Sequence, residues 1–375
     1  MRSLTAAGAL ALLVAADAAL AQTFRSSAGD IRVETVAGAL SHPWALAFLP
    51  DQRMLVTERP GRMRIVTRDG KLSPSLTGVP KVFARSQGGL HDVALDRGYA
   101  QNQTIYVCYA EPVGSGGRTA LARARLVDEG TPRLDDVKVI FQQEGPLSSG
   151  NHFGCRIVQM PDGNLFLTLG EHFTYRDEAQ NLGNHLGKIV RIRPDGGVPP
   201  DNPFVGNSGA KPEIWSYGHR NPQGLAINPA SGKVWEHEHG PRGGDEINIP
   251  EAGKNYGWPV IGYGIDYSGA RIHESTHKPG MEQPIYYWVP SIAPSGMAFY
   301  TGDLFATWRG NLFVGALAAQ LLVRLELDGE KVVKEERLLH ALGERVRDVR
   351  AGPDGALWLL TDNSSGRILR VTPAR

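Results

Sequence analysis

A histidine stands among small and polar residues in the stretch SSGNHFGCRI, residues 148–157. Behind it begins an alternating run, RIVQMPDGNLFLTLGE, which is typical of a strand, a turn and a second strand. Because an unperturbed imidazole titrates near neutral pH, a histidine held at the end of a strand can take a proton from a substrate. His152 is therefore either an ordinary loop residue or a general base, and this short stretch leaves both interpretations open.

The segment EHEHGPRGGDEINIPEAGKNYGWP, residues 236–259, is the densest in metal-ligand residues. Strand alternation places His237 and His239 on one face and the neighbouring glutamates on the other. Further oxygen ligands follow: the backbone carbonyls of Gly240 and Pro241, then Asp245, Glu246, Asn248, Tyr256, and Asp266 in YGIDYSG. Such hard oxygens suit Ca²⁺, although the spacing is not that of an EF-hand. A transition-metal site at the two histidines and a glycine-rich loop with acids in water stay open as alternatives.

Arginines also stand where they could bind an anion. Arg220, in SYGHRNPQGLAINP, lies directly before a strand and offers a planar donor fork for a carboxylate or a quinone oxygen. The alternative for this arginine is hydrogen bonding to loop carbonyls. Arg345 and Arg347 are two residues apart, so a strand would present both guanidinium groups on one face. That pair indicates an anionic ligand.

These residues lie at the starts of a recurring unit that consists of a strand, a Pro/Asp/Gly turn and a second strand. Six copies begin at His42, Gly88, Phe153, Pro222, Pro294 and Arg345. Units roughly 45 to 70 residues apart, each worth about four short strands, predict an all-β fold, a six-bladed β-propeller. The segment IRVETVAG near Ile31 could add a strand to the last unit and close the ring. A β-sandwich or two β domains are the alternatives.

In a closed ring, the loops before the innermost strands face one another at one end of a central channel. The polar residues that this arrangement gathers are Gln87, Asn151, His152, Arg220, Asn221, Ser295, Arg345 and Arg347. Since loops carry function more often than the strands they connect, we expect the functional site at this end of the channel.

The balance of charged residues limits the classes of binding partner that we expect. Forty basic and thirty-nine acidic residues form no basic stripe, so neither nucleic acid nor an anionic membrane is an expected partner.

Residues 1–21 resemble a cleaved signal peptide, which predicts an exported, soluble protein in which residues 22–375 form one propeller domain without a membrane span. An uncleaved anchor is the alternative. Cys108 and Cys155 could pair in an exported protein or could remain small buried residues.

From Val33 to Pro373 the chain resembles the soluble quinoprotein aldose sugar dehydrogenases, which are related to soluble glucose dehydrogenase. The resemblance is carried by GNHFGCRI, EIWSYGHRNPQGLAINP, EHGPRGGDEINIPEAGKNYGWP, PSGMAFY and RVRDVRAGPDGALWLLTD. It implies pyrroloquinoline quinone (PQQ) bound with Ca²⁺, and oxidation of aldose mono- or disaccharides at C1 to lactones. Electrons would pass to an external acceptor. The resemblance further implies a periplasmic protein that is a monomer or a homodimer.

The resemblance also implies roles for individual residues. His152 matches the general base, and Arg220 matches the group that holds negative charge on the quinone oxygen. Gln87, Asn151, Asn221, Arg345 and Arg347 match cofactor-binding positions, the last two meeting the carboxylates of PQQ. Gly240 and Pro241 match carbonyl ligands of the cofactor Ca²⁺, and Glu246, Tyr256 and Asp266 match ligands of a second, structural Ca²⁺.

Two departures from the family pattern affect these expectations. Ala318, in GALAAQ, stands where relatives often have a lysine that meets the quinone, and Asn151 stands where some have aspartate. Loss of the ammonium group predicts weaker PQQ binding. Two other functions stay open: a propeller that binds a sugar or another ligand without catalysis, and a Ca²⁺-dependent lactonase.

Overall fold

The computed structural model describes residues 21–374, and within them the chain forms six antiparallel sheets. The predicted six-bladed β-propeller is thereby confirmed. The predicted signal peptide, apart from Ala21, lies outside the described residues and stays a prediction. Among the described residues, no helix has both the length and the apolar character needed to cross a membrane.

The first half of the chain supplies two leading strands and three blades. The leading strands are β1 (Gln22–Phe24) and β2 (Ile31–Leu40). Blade 1 contains β3 (Pro43–Phe48), β4 (Met54–Glu58) and β5 (Arg62–Val66). Blade 2 contains β6 (Leu90–Leu95), the one-turn helix α1 (Tyr99–Asn102), β7 (Thr104–Val113), β8 (Gly116–Val127) and β9 (Arg133–Gln142). Blade 3 contains β10 (Gly154–Gln159), β11 (Leu165–Leu169), a 3₁₀ helix (Arg176–Gln180), β12 (Lys188–Ile192) and β13 (Ile214–Tyr217).

The second half supplies the remaining three blades. Blade 4 contains β14 (Pro222–Ile227), β15 (Val234–Glu238), β16 (Asp245–Asn248) and β17 (Tyr286–Trp288). Blade 5 contains β18 (Pro294–Phe299), a 3₁₀ helix (Ala306–Trp308), β19 (Leu312–Ala316), β20 (Leu321–Asp328) and β21 (Lys331–Leu338). A 3₁₀ helix (His340–Leu342) leads to blade 6, with β22 (Val346–Ala351), β23 (Leu357–Thr361) and β24 (Gly366–Pro373).

The ring closes by joining the two ends of the described chain in one blade. Strand β2 pairs antiparallel with β24, with Val33 opposite Val371, and β1 pairs with β2. Blade 6 therefore has the order β1-β2-β24-β23-β22, and the expectation that the segment near Ile31 completes the last blade is confirmed. The innermost strands contact one another in the order β3, β6, β10, β14, β18 and β22, and β22 contacts β3.

The apolar core lies between neighbouring blades. Leu55 of blade 1, for example, packs in one buried cluster with Val93 and Ile105 of blade 2. Each innermost strand buries its first four residues, because these face the neighbouring blades and the channel. Removing this apolar surface from water is the main favourable contribution to folding. The same packing between blades holds in place the ends of the strands that carry the polar residues of the channel mouth.

A buried ionic cluster crosses the channel itself. Arg156 of β10 lies 3.3 Å from Asp92 of β6 and 3.0 Å from Asp348 of β22. Arg350 contacts the same two aspartates at 2.9 and 2.8 Å. Because a buried charge is tolerated only when it is paired, these four residues pair one another and link blades 2, 3 and 6.

Cys108 of β7 and Cys155 of β10 form a disulfide with a Cα–Cα distance of 5.7 Å, which answers the question that the sequence left open. The bond joins blades 2 and 3 three residues beyond His152. Both cysteines are fully buried, so the link also belongs to the packed interface between these blades.

Candidate active site

The antiparallel register of each inner hairpin continues past the ends of its strands, at the mouth of the channel. In blade 3, Gly154 pairs with Leu169. His152 lies two residues before Gly154, and Glu171 lies two residues after Leu169. The same register therefore brings His152 opposite Glu171. In blade 6 the same continuation places Arg345 beside Asp362, whose amide donates to the arginine carbonyl at 2.8 Å. The loops that precede the innermost strands thus receive partners from the strands next to them.

His152 is held by both its backbone and its ring. Its Nδ1 lies 3.0 Å from Oε2 of Glu171, and its amide donates to Oε1 of Gln87 at 2.8 Å. Its backbone adopts the left-handed conformation with φ of 52°, and its side chain is buried. When Nδ1–H of His152 donates its hydrogen bond to the carboxylate of Glu171, Nε2 carries the lone pair that can accept a proton from a substrate.

The charge states of this pair follow from their surroundings. Burial lowers the pKa of His152, the negative Glu171 partly opposes that effect, and the positive Arg220 adds to it, so the net shift is downward. Burial alone would raise the pKa of Glu171, but the charge and the hydrogen bond of His152, with the charge of Arg220, hold it below its usual value. At neutral pH the pair is therefore a neutral imidazole beside a carboxylate, which is the state that a general base requires.

Arg220 reaches across the mouth to the turn after β15. Its Nη1 donates to the carbonyl of Gly240 at 2.7 Å and to that of His239 at 2.9 Å. Its guanidinium lies 5.2 Å from the ring centroid of Trp258, and its Nε has no hydrogen-bond partner among the described residues. Its backbone amide donates to the carboxylate of Glu238. The guanidinium is thus held through Nη1, while Nε and Nη2 make no hydrogen bond among the described residues and keep their donors for a ligand.

The remaining predicted cofactor residues lie around the same mouth. Asn221 accepts a hydrogen bond from the amide of Gly154 at 3.1 Å, and thus supports the loop that carries His152. Asn151 accepts a hydrogen bond from the hydroxyl of Ser86 at 2.6 Å. The structure therefore joins Asn221, and also Gln87, directly to the histidine loop.

Arg345 and Arg347 meet on one carboxylate. Oδ2 of Asp362 lies 2.9 Å from Arg347 Nη2 and 3.5 Å from Arg345 Nη2. Arg347 also donates to Oε1 of Gln223 at 3.0 Å and is nearly buried, whereas the side chain of Arg345 is 46% exposed. Burial would raise the pKa of Asp362, but its two arginines and His42 hold it far below its usual value. Two cations share one anion here, so positive charge remains for a ligand.

A small cavity of ≈ 20 Å³ lies under the turn at Gly240. It is lined by Arg220, Glu238, His239, Gly240, Pro241, Gly244, Glu246, Tyr256, Trp258, Ile261, Gly262 and His273. That volume holds one water-sized species. Burial, followed by the charges of Glu238 and Glu236, raises the pKa of Glu246 well above its usual value, so a cation at this place would relieve a real repulsion.

Asp266 lies apart from Glu246 and Tyr256 in this structure. Its carboxylate accepts hydrogen bonds from the amide and the hydroxyl of Ser268 at 2.9 and 2.7 Å. It lines a separate open pocket of ≈ 380 Å³ instead of the small cavity. We call this the open pocket; its lining consists of Glu171, Phe173, Thr174, Arg176, Asp177, Arg220, Pro241, Trp258, Asp266, Tyr267 and Ile272.

A buried cluster that shares Glu238 with the cavity was not predicted from the sequence. His219 Nδ1 lies 3.2 Å from Glu238 Oε1 and 3.5 Å from Glu236 Oε1. Burial opposes the charged imidazole, but the hydrogen bonds and charges of both glutamates outweigh it and raise the pKa of His219 to about 9. Within residues 21–374 these three residues are the one His/Cys/Asp/Glu group with metal-ligand spacing, so the transition-metal alternative at His237 and His239 finds no third ligand.

Asp245 organises the turn that carries Gly240. Its Oδ1 accepts the Gly240 amide at 2.8 Å, and its Oδ2 accepts the amides of Ile292 at 2.7 Å and Ala293 at 3.0 Å. Ser291 donates its hydroxyl to the same carboxylate. One fully buried aspartate thus ties blade 4 to the loop before blade 5, beside Ala318, and fixes where the Gly240 carbonyl points.

Known proteins are similar to this chain by sequence and by structure. The sequence pattern of the glucose/sorbosone dehydrogenase family matches residues 40–370. The aldose sugar dehydrogenase YliI of Escherichia coli (strain K12) is 48% identical over 359 residues, which cover 94% of this chain and 96% of that protein.

Solved structures of sugar dehydrogenases are also similar to this chain. The apo-form of the soluble aldose sugar dehydrogenase from Escherichia coli has a TM-score of 0.89 at 48% identity, covering 92% of this chain and 100% of that chain. The PQQ-bound form of an aldose sugar dehydrogenase from Streptomyces coelicolor has a TM-score of 0.75 at 28% identity, covering 91% of this chain and 98% of that chain. This chain therefore belongs to the glucose/sorbosone dehydrogenase family and is a sugar dehydrogenase by descent and fold.

Proposed function

We propose that this protein is a PQQ- and Ca²⁺-dependent dehydrogenase that oxidises aldose sugars at C1 to lactones and passes the electrons to an external acceptor. The observation that carries the proposal is the buried, neutral His152, held by Glu171 at 3.0 Å at a channel mouth that also carries three arginines. The names of the Escherichia coli and Streptomyces coelicolor relatives support the substrate class, and the second of them supports the cofactor.

The residues at the mouth fit PQQ, whose periphery carries carboxylates and quinone oxygens. Arg345 and Arg347 share the single carboxylate of Asp362, and Nε of Arg347 has no partner among the described residues. Nε of Arg220 and Nε2 of His239 are likewise unpartnered and buried within residues 21–374. A polyanion with several acceptor oxygens would satisfy these donors, because planar guanidinium groups bind carboxylates in a fork. Gln87, Asn151 and Asn221 would border it.

The donor groups also fit Ca²⁺, which prefers oxygen ligands. The carbonyls of Gly240 and Pro241 would hold the ion of the cofactor site. Gly240 already accepts from Arg220, but a carbonyl oxygen has two lone pairs and can serve both partners. The small cavity would hold a second ion on Glu246 and the carbonyl of Tyr256, with Glu238 as a further oxygen ligand. For Asp266 to join that ion, the loop around it would have to move from its position here.

In the proposed mechanism Nε2 of His152 takes the proton from the C1 hydroxyl of the sugar. Glu171 keeps the other ring nitrogen protonated and stabilises the imidazolium that forms, so the base stays oriented throughout. When bound, PQQ supplies the carbonyl carbon that accepts the hydride from C1. Arg220 stabilises negative charge that develops on an oxygen placed near its guanidinium. The open pocket between Glu171 and Asp266 gives the sugar its route in and the lactone its route out.

Reconstitution of the purified protein tests the proposal. A chelator would first remove bound ions, and PQQ would then be added with and without Ca²⁺, followed by glucose and a dye acceptor. We expect dye reduction and lactone formation only when both additions are present. Absence of turnover, together with absence of any spectral change of PQQ, would reject the proposed activity and would indicate that Ala318 removes an essential attraction.

The two other functions lack a supporting feature. A lactonase on this fold needs a channel metal held by several side chains, but the one such cluster among the described residues, at His219, is fully buried behind the mouth. A propeller that binds a sugar without catalysis would not need a channel-mouth histidine whose ring is oriented by a carboxylate, as that of His152 is by Glu171 at 3.0 Å. It is the outcome that the reconstitution experiment would favour if PQQ failed to bind.

We further propose export to the periplasm after cleavage behind Ala21, with residues 22–375 as one domain that acts as a monomer or homodimer. The disulfide between Cys108 and Cys155 supports export, because such bonds persist in oxidising compartments. Mass spectrometry of the protein from a periplasmic extract would test the cleavage site.

A further inference from the structure

The open pocket has an aromatic side chain at an unusual place. Phe173 follows β11 and lines the pocket together with Glu171 and Arg220. Its side chain is 45% exposed, and its ring meets that of His152 edge-on, with centroids 5.2 Å apart and planes at 85°. A large apolar side chain that remains in water beside a candidate base gains little from burial, so its position calls for another reason.

The backbone at this position is strained as well. His172 and Phe173 have φ of 61° and 62°, the left-handed region that bulky residues rarely adopt. The amide of Phe173 donates to the Glu171 carboxylate that also holds His152. Strain of this kind is unfavourable and persists where the surroundings enforce it, mainly at functional sites. The hydrogen bond of the Phe173 amide to Glu171 thus keeps the phenyl ring beside the base.

The other lining groups complement a sugar. A pyranose presents C–H groups on its faces and hydroxyls around its edge. The phenyl face suits the first, and the charged side chains of Arg176, Asp177 and Asp266 at the rim suit the second. Hydroxyl groups form stronger hydrogen bonds with charged partners than with neutral ones. One aromatic side chain with charged side chains around it can therefore contact both the faces and the edge of a single sugar ring.

We propose that Phe173 is the residue on which the sugar ring stacks, and that this contact aligns C1 with Nε2 of His152 and selects pyranoses with an apolar face. The inference rests on the proposed function, since it names the specificity residue of that same site. Tyr267 also lines the pocket and is exposed, but Phe173 is the aromatic residue in contact with the base.

Steady-state kinetics of the PQQ- and Ca²⁺-loaded protein provides the first test. In Phe173→Ala, the KM for glucose should rise roughly tenfold, with a much smaller fall in kcat, because the variant loses one aromatic contact to the ring. Phe173→Trp should keep KM near the wild-type value. Leu304→Ala removes an apolar side chain of similar exposure, 42%, that lies against Gly355 outside the mouth, and serves as the matched control.

Saturation-transfer NMR on the protein without PQQ provides a second test that does not depend on activity. Methyl β-glucoside, which lacks the oxidisable C1 hydroxyl, should receive transfer at the axial C–H protons of one face in the wild type and in Phe173→Trp, but not in Phe173→Ala. An unchanged KM together with unchanged transfer in Phe173→Ala would overturn the stacking role. If the wild type failed to oxidise aldoses but transfer still depended on Phe173, the proposed dehydrogenase would fail and the sugar contact would stand.

Discussion

Nδ1 of His152 lies 3.0 Å from Oε2 of Glu171, although the two residues are 19 positions apart in the chain. The pairing of Gly154 with Leu169 in the inner hairpin of blade 3 brings them together at the channel mouth. This contact sets the tautomer of the imidazole, and the mechanism depends on that tautomer because only the nitrogen without a proton can act as a base.

Glu171→Gln should lower kcat by about 10²–10⁴-fold, because a glutamine can donate its amide to Nδ1 and thereby favour the tautomer with the proton on Nε2. The pKa of His152 should fall further, because Glu171 raises it in the wild type. The acid limb of the pH profile of kcat/KM should therefore move to lower pH. Glu213→Gln, which removes another Glu–His pair at 3.3 Å in the same blade, is the control. Wild-type kcat in Glu171→Gln would exclude the orienting role.

The double change Arg345→Ala with Arg347→Ala should weaken PQQ binding at least tenfold, because it removes the positive charge that exceeds the single carboxylate of Asp362. At saturating PQQ the KM for glucose should stay the same. Fluorescence titration with PQQ measures the first quantity, and dye-reduction kinetics the second.

The matched control for this experiment is Arg125→Ala with Arg133→Ala. These two arginines also share one aspartate, Asp135, but lie on blade 2 and are partly exposed. Equal PQQ affinities in the two double variants would show that the arginines at the mouth serve the fold alone.

Asp245→Asn should raise the Ca²⁺ concentration required for half-maximal PQQ binding by roughly tenfold, because one carboxylate oxygen becomes an amide donor that faces the backbone amides of Gly240 or Ala293. The carbonyl of Gly240 would then lose its fixed direction. A Ca²⁺ titration monitored by the spectrum of added PQQ gives the value. Asp354→Asn, in a turn of blade 6, is the control, and the same Ca²⁺ midpoint in both variants would refute the clamp.

Acid should destabilise the protein partly through His91. Burial, with the charges of Arg347, Arg59 and Arg156, lowers its pKa from 6.5 to about 3. Between these values the unfolded chain binds the proton and the folded chain does not, so the free energy of unfolding falls as pH falls, by up to about 1.4 kcal/mol per pH unit. His91→Phe should remove that part of the slope in urea unfolding between pH 6.5 and 4. Equal slopes in both proteins would contradict the assignment.

Much of the fold follows from local sequence signals. The unit of strand, turn and strand recurs six times, and each innermost strand begins within two residues of the predicted start of its unit. Pairing across the whole chain is harder to predict, yet β2 could be assigned to blade 6 because a ring leaves the leading strand no other partner. The disulfide stayed open because spacing alone does not determine which blades touch.

The candidate site could be predicted less completely. Residues before the innermost strands could be predicted because they open each unit, whereas Glu171 and Asp362 were not predicted as parts of the site. Asp245 was predicted as an oxygen ligand, but in the structure its carboxylate accepts the backbone amides of Gly240 and Ile292. The pairing register of the inner hairpins could have indicated Glu171 and Asp362. In blade 3, for example, it places His152, two residues before the innermost strand, opposite Glu171, two residues after the next strand. The position of Asp266 depends on a long loop whose course no short-range pattern predicts.

The most direct test of the central claim compares His152→Ala with the wild type after loading with PQQ and Ca²⁺. PQQ affinity should remain within a few fold, because Arg220, Arg345 and Arg347 are unchanged, while kcat for glucose should fall by about 10²–10⁴-fold or more. Loss of turnover with PQQ still bound would identify His152 as the base. Near wild-type turnover in the variant would contradict the mechanism.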